Sequence, residues 1–196
     1  QVAGLAARPS PLQPVRPDKF SNQLIVSPIT STPSSEKITG DFYNYGTNAG
    51  LEMKLHRAEF LHNIGLRGSG MQVAVLDGGF FNYNTLPAFD SVNRKGQILS
   101  TWDFLTGNAT VSDDHPHGMQ CLSTIAANIP GQFVGKAPQA FFHLFRTEDV
   151  NSEYPIEEFN WVCGAERADT EGADLISSSL GYYDFDNPVF NYTYAQ

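Results

Sequence analysis

Met71-Gln72-Val73-Ala74-Val75-Leu76-Asp77-Gly78-Gly79 is the stretch that decides the fold class. It is short, β-branched and apolar at consecutive positions, the pattern of a strand buried on both faces of a parallel sheet. It closes on an aspartate and two glycines that let the chain turn sharply, at the strand end where open α/β sheets build their sites. Working outward, Ile98 to Phe104 and Ala140 to Phe145 read as further strands, and Gly172 to Ile176 leads into another. Between them lie two helical patterns, His117 to Ala127 and about Pro155 to Glu171. In the second, Ile156, Phe159, Val162, Cys163 and Ala165 are the apolar positions, and Pro155 suits a first helical turn. Strands alternating with helices imply an α/β layered fold with a mainly parallel sheet. Upstream, Leu51, Leu55, Ala58 and Leu61 recur at helical spacing and stop at Gly65, which predicts an amphipathic helix over roughly 50–64.

The chain has 196 residues, 41% of them hydrophobic, enough for one sizeable core. Six of its twelve prolines fall before residue 34, so residues 1–40 are expected to be an extended arm and residues 41–196 the globular part. The first residue is Gln1, so a processed or trimmed chain is expected. With 12 Lys+Arg against 21 Asp+Glu, the net charge of −9 repels phosphate backbones and anionic lipid, which argues against nucleic acid as a partner. The longest apolar runs are too short for a membrane span. Cys121 and Cys163 make at most one bridge and need no structural role. Residues 148–196 carry eleven Asp/Glu and only Arg167 on the basic side, which reads as a solvated acidic face.

Two residues stand out chemically. Asp77 sits where a strand-end carboxylate can act, although an aspartate there also serves as a turn acceptor. His117, in Asp113-Asp114-His115-Pro116-His117, opens a helix, whose field disfavours imidazolium and helps keep the ring neutral as a base. Such a pair suits an acid/base site but lacks a nucleophile. A metal reading with His115, His117, Asp113 and Asp114 as ligands is weak, since His-Pro-His is not a helix-face spacing. His56, His62 and His143 read as surface or core residues. The glycine-rich Gly65 to Gly70 precedes its strand, so it cannot form a phosphate-binding βα turn.

Together these segments resemble the subtilisin-like serine proteases, or subtilases, of bacterial type. Val73 to Phe80 is similar to the family's catalytic-aspartate strand and His117 to Ala126 to its catalytic-histidine helix. Gly135-Lys136-Ala137-Pro138-Gln139-Ala140 is similar to its GxAPxA turn, and Ile176 to Gly181 to its substrate-binding strand. The resemblance implies the N-terminal part of a subtilisin-like three-layer α/β domain, incomplete in this chain. It implies that Asp77 orients His117, that His117 deprotonates a serine, and that Ser179, Leu180 and Gly181 pair with an extended peptide or protein substrate. Asp149 to Tyr154 would form the opposite side of that cleft. No cofactor and no metal site is implied, because Pro87-Ala88-Phe89 stands where a calcium-binding aspartate often does. A secreted or cell-surface location is implied likewise.

The family's Gly-Thr-Ser segment and oxyanion asparagine are not among these residues. The expectation is therefore a chain inactive alone, its serine on a C-terminal polypeptide of the same protease, separated by cleavage near Gln196. Tyr183 to Pro188, turn-rich and expected at the surface, suits such a cut. Leu122, where the family prefers a small residue, is a mild mismatch. The alternative reading is a non-catalytic peptide-binding chain, and retention of both Asp77 and His117 counts against it.

Overall fold

The computed structural model describes residues 40–193, so the expected arm at residues 1–40 lies almost wholly outside the described residues. Strands β1 (Gln72–Asp77), β2 (Ile98–Asp103), β5 (Phe141–Arg146) and β6 (Leu175–Ser178) form one sheet in the order β2-β5-β1-β6. All three pairings are parallel, with Asp77 level with Arg146, and Arg146 level with Asp103. The carboxyl ends of the strands therefore gather at one edge.

Helix α4 (His117–Ala126) covers one face of the sheet and α5 (Ile156–Thr170) the other. Period-two alternation along β1 explains both layers. Val73 and Val75 join Phe80, Phe142, Leu144, Leu122 and Ala126 in the larger core. Ala74 and Leu76 join Phe145 and Ala168 beneath α5. Leu122 is fully buried in the first cluster, so the bulkier residue on α4 is absorbed by packing. A short antiparallel pair, β3 (Asn128–Ile129) with β4 (Phe133–Val134), follows α4 and had no counterpart in the sequence reading.

Three expectations are corrected. The helix over 50–64 is two helices, α1 (Gly46–Leu55) and α2 (Ala58–Asn63), because Arg57 takes a left-handed conformation with φ 55°. Its buried positions are Ala49, Met53, Ala58 and His62, while Leu51 and Leu55 are about four-fifths exposed. On α5 the buried residues are Glu157, Gly164 and Ala168, and Ile156, Phe159 and Val162 are exposed. The acidic C-terminal quarter is not wholly a solvated face, since Glu148 and Glu157 are buried. In the turn-rich stretch 183–188, Tyr183 is exposed as expected but Phe185 is buried against Tyr192.

Buried histidines are satisfied within the core. His62 Nε2 donates to the Lys136 carbonyl at 2.8 Å and its Nδ1 accepts from Tyr45 at 2.8 Å, while burial pushes its pKa down. His143 Nδ1 faces Ser100 and Glu171 at 2.8 and 2.9 Å, joining β5 and β2 to the C-terminal end of α5.

Arg146 ends β5 as a cation among carboxylates. Its Nη1 lies 3.0 Å from Asp103 Oδ2 and 2.9 Å from Asp114 Oδ1, so one nitrogen ties the end of β2 to the segment leading into α4. Asp103 in turn accepts from the backbone of Leu105 and Thr106. Removing the charge leaves Asp103 buried and unpaired, a loss of about 3–5 kcal/mol. Arg146→Met is expected to lower stability by that amount in urea denaturation. Arg146→Lys should recover much of it, because both ion pairs fall on a single nitrogen that an ammonium can replace. Leu122→Ala should cost about 2–5 kcal/mol in the same measurement through the cavity it leaves.

Candidate active site

Asp77 is the last residue of β1 and His117 the first of α4; the two are nearly inaccessible to solvent. His117 Nδ1 donates to Asp77 Oδ1 at 2.6 Å. The same oxygen accepts from the Gly78 amide at 2.7 Å, while Oδ2 is buried with no hydrogen-bond partner among the described residues. Burial works against a charged His117 ring. The hydrogen bond to Asp77, the contact with Cys121 and the Asp77 charge outweigh it, so its pKa lies above the usual histidine range.

Close backbone approach makes this contact geometrically available. A Cβ on Gly118 would lie 2.5 Å from the Gly79 carbonyl oxygen and 2.7 Å from Asp77 Cβ. Gly79, at φ 142°, leaves similarly little room against His115. The loop after β1 is stitched to the segment before α4 by Phe80 N to Val111 O, Asn82 N to Ser112 O and Phe81 N to His115 O. His115 Nδ1 accepts from the His117 amide at 3.2 Å and so serves the first turn of α4. The alternative metal reading is not assembled: Asp114 pairs with Arg146, and among the described residues the cluster with metal-ligand spacing is Asp77, His117 and Cys121.

Ser179, Leu180 and Gly181 follow directly on β6, whose last pair is Leu76 with Ser178. They therefore leave the sheet beside Asp77. Immediately beyond them the Tyr182 hydroxyl donates to Glu148, just past the end of β5. Burial first, and the Glu148 carboxylate second, push the Tyr182 pKa up. Asp186 N to Glu153 O at 2.9 Å adds a second tie, so the segment after Gly181 is fastened to Glu148–Tyr154. These ties fall after Ser179–Gly181, on the stretch that follows them.

Four participants escaped the sequence reading. Arg146 carried one signal, a lone cation ending an apolar strand. Cys121 carried another, its i+4 spacing from His117 on one helix face. Glu148 and Tyr182, 34 residues apart, carried none.

Known proteins sharpen the picture. The family model described as "Subtilase family" matches residues 68–195. Subtilisin BL of Lederbergia lenta is 31% identical over 126 residues, covering 64% of this chain and 42% of that protein. The minor extracellular protease Vpr of Bacillus subtilis is 30% identical over 124 residues, 61% of this chain and 15% of that one. The chain spans less than half the length of these relatives. Among solved structures, fervidolysin of Fervidobacterium pennivorans, a keratinolytic enzyme related to subtilisin, superposes with TM-score 0.56 at 22% identity, covering 83% of this chain and 24% of that one. The MycP3 protease of a type VII secretion system gives 0.53 at 22%, covering 70% and 37%. The fold is therefore the subtilisin-like α/β arrangement of which this chain supplies part. A family model matching about two thirds of the chain, over the segments that carry the strand, helix and loop just described, means that the chain belongs to the subtilase family.

Proposed function

We propose that this chain is the Asp–His part of a serine endopeptidase that hydrolyses peptide bonds through an Asp-His-Ser triad. The observation that carries the reading is the buried 2.6 Å hydrogen bond between Asp77 and His117 in a subtilase. Asp77 holds the Nδ1–H tautomer and stabilises the imidazolium. Nε2 of His117 takes the proton of a serine on a C-terminal part of the protease and returns it to the leaving amine. Ser179, Leu180 and Gly181 pair with an extended substrate beside the reacting bond, giving affinity through main-chain hydrogen bonds.

A C-terminal part is supported by what the described residues leave uncovered. β6 is paired on one side only, and Leu175 and Ile176 on it and Phe159 and Val162 on α5 are exposed. An open apolar strand edge of this kind calls for cover. No helix of the described residues is long and apolar enough to cross a membrane. A secreted or cell-surface location fits the extracellular relative.

In the complete protease, Asp77→Asn is expected to lower kcat by on the order of 10⁴ with little change in folding, as monitored by circular dichroism. The pH profile supplies a second readout. The base form requires a neutral ring, so a raised His117 pKa places the acid limb of activity on the alkaline side of an ordinary histidine. Removing the Asp77 charge destabilises the imidazolium, so the residual activity of Asp77→Asn should show that limb moved to lower pH. Unchanged peptide hydrolysis in the variant would exclude the assignment.

A further inference from the structure

Ser179, Leu180 and Gly181 stand between two side-chain ties. Before them, Trp161 Nε1 on α5 donates to Ser178 Oγ at 2.9 Å. After them, the Tyr182 hydroxyl donates to Glu148. The ladder between β1 and β6 ends with Leu76 and Ser178, and outside the strands no backbone–backbone hydrogen bond among the described residues uses Ser179, Leu180 or Gly181. Ser179 and Gly181 are exposed, and a Cβ on Gly181 would meet nothing within 4 Å. An edge of this kind adds a peptide strand well only if its direction is fixed beforehand, because ordering it on binding costs backbone entropy residue by residue.

Glu148 gives the second tie a fixed point. It is buried, and its Oε1 also accepts from Thr147 Oγ1 at 3.2 Å. Thr147, itself buried, donates its amide to the Asp77 carbonyl at 3.0 Å. The path from Tyr182 through Glu148 and Thr147 to Asp77 therefore refers the end of the exposed stretch to the residue that orients His117. Burial first, then the Glu148 bond and the charges of Glu148, Glu157 and Glu153, push the Tyr182 pKa up, so the phenol stays a donor across the neutral range. A second phenol–carboxylate bond, Tyr192 to Glu158 at 2.8 Å, fastens the same loop farther out, at an exposed position where water competes for both groups.

We infer that Tyr182 and Glu148 are positioning residues, a latch that holds Ser179–Gly181 in place relative to Asp77 and His117 for pairing with the backbone of a peptide. The inference deepens the proposed peptidase reading and rests on it. The latch touches no reacting atom and acts through the stretch it holds. Main-chain pairing is present in the bound substrate and in the transition state alike, so loss of the latch appears in KM and not in kcat. What the latch needs from Glu148 is an acceptor oxygen, not a negative charge. That requirement separates it from recognition of a basic side chain by the carboxylates of Glu148, Glu153 and Glu157.

The test uses the complete protease, with hydrolysis followed on a pair of fluorogenic peptides that differ in carrying or lacking a lysine, and thermal unfolding read in parallel. Tyr182→Phe is expected to raise KM about tenfold while kcat stays within about twofold. Glu148→Leu should do the same, and combining it with Tyr182→Phe should add nothing further, because both remove one bond. Glu148→Gln keeps an acceptor oxygen and should hold KM within about threefold of the parent for both peptides. Tyr192→Phe should leave both constants unchanged. An unchanged KM in Tyr182→Phe, whether or not stability falls, overturns the latch, as does a loss confined to kcat. A rise in KM for the lysine peptide alone in Glu148→Gln overturns it in favour of charge recognition. Binding of fluorescein-labelled denatured casein in a His117→Ala background, read by anisotropy, separates the two readings. A parent protein that cuts no peptide refutes the peptidase reading; weaker casein binding in Tyr182→Phe then still supports the latch, and unchanged binding overturns it.

Discussion

A carboxylate and an imidazole can share a 2.6 Å hydrogen bond inside a protein only if two backbones come almost into contact around them. Much of this structure follows from that constraint. β1 must end on Asp77, the chain must turn away at once through Gly78 and Gly79, and α4 must begin within reach. Gly118 is the point of closest approach, because any Cβ there would strike the Gly79 carbonyl and Asp77 itself. Loop bonds from Phe80, Phe81 and Asn82 hold the two segments together, and Arg146 holds the second segment to the neighbouring strand ends through Asp114 and Asp103. The cores on both faces of the sheet fix where β1 ends and α4 starts. The site is thus a property of the layered fold, read out at one edge.

β1 and β5 were the most legible strands because a parallel strand covered on both faces is written as a mostly apolar run, as in Val73-Ala74-Val75-Leu76. Asp77 and His117 were legible because each stands at an element boundary, where residue type and position together restrict the chemistry. The N-terminal helix was misread for an equally physical reason. Leucines at helical spacing mark an apolar face only if the helix is continuous, and the left-handed Arg57 rotates α2 relative to α1. Met53, Ala58 and His62 are buried instead. On α5 the packing surface is Gly164 and Ala168, whose smallness brings the helix close to Leu76 and Thr147, while the larger apolar residues face outward.

Interactions between distant residues were not legible at all. Tyr182 on Glu148, and Arg146 on Asp103 and Asp114, join positions whose separation in sequence carries no period. Their consequence is specific: ion pairs and a phenol–carboxylate bond brace the end of the sheet where Asp77 and His117 meet. The same crowding puts the Cys121 thiol 3.9 Å from the imidazole of His117.

The central claim is that His117 activates a serine held C-terminal to Gly181. The most direct measurement is labelling of the complete native protease with a fluorophosphonate probe, followed by peptide mapping of the modified residue. The account requires a single labelled serine downstream of Gly181 and loss of labelling in His117→Ala. Label on a serine between residues 40 and 181, or labelling that persists in His117→Ala, would contradict it.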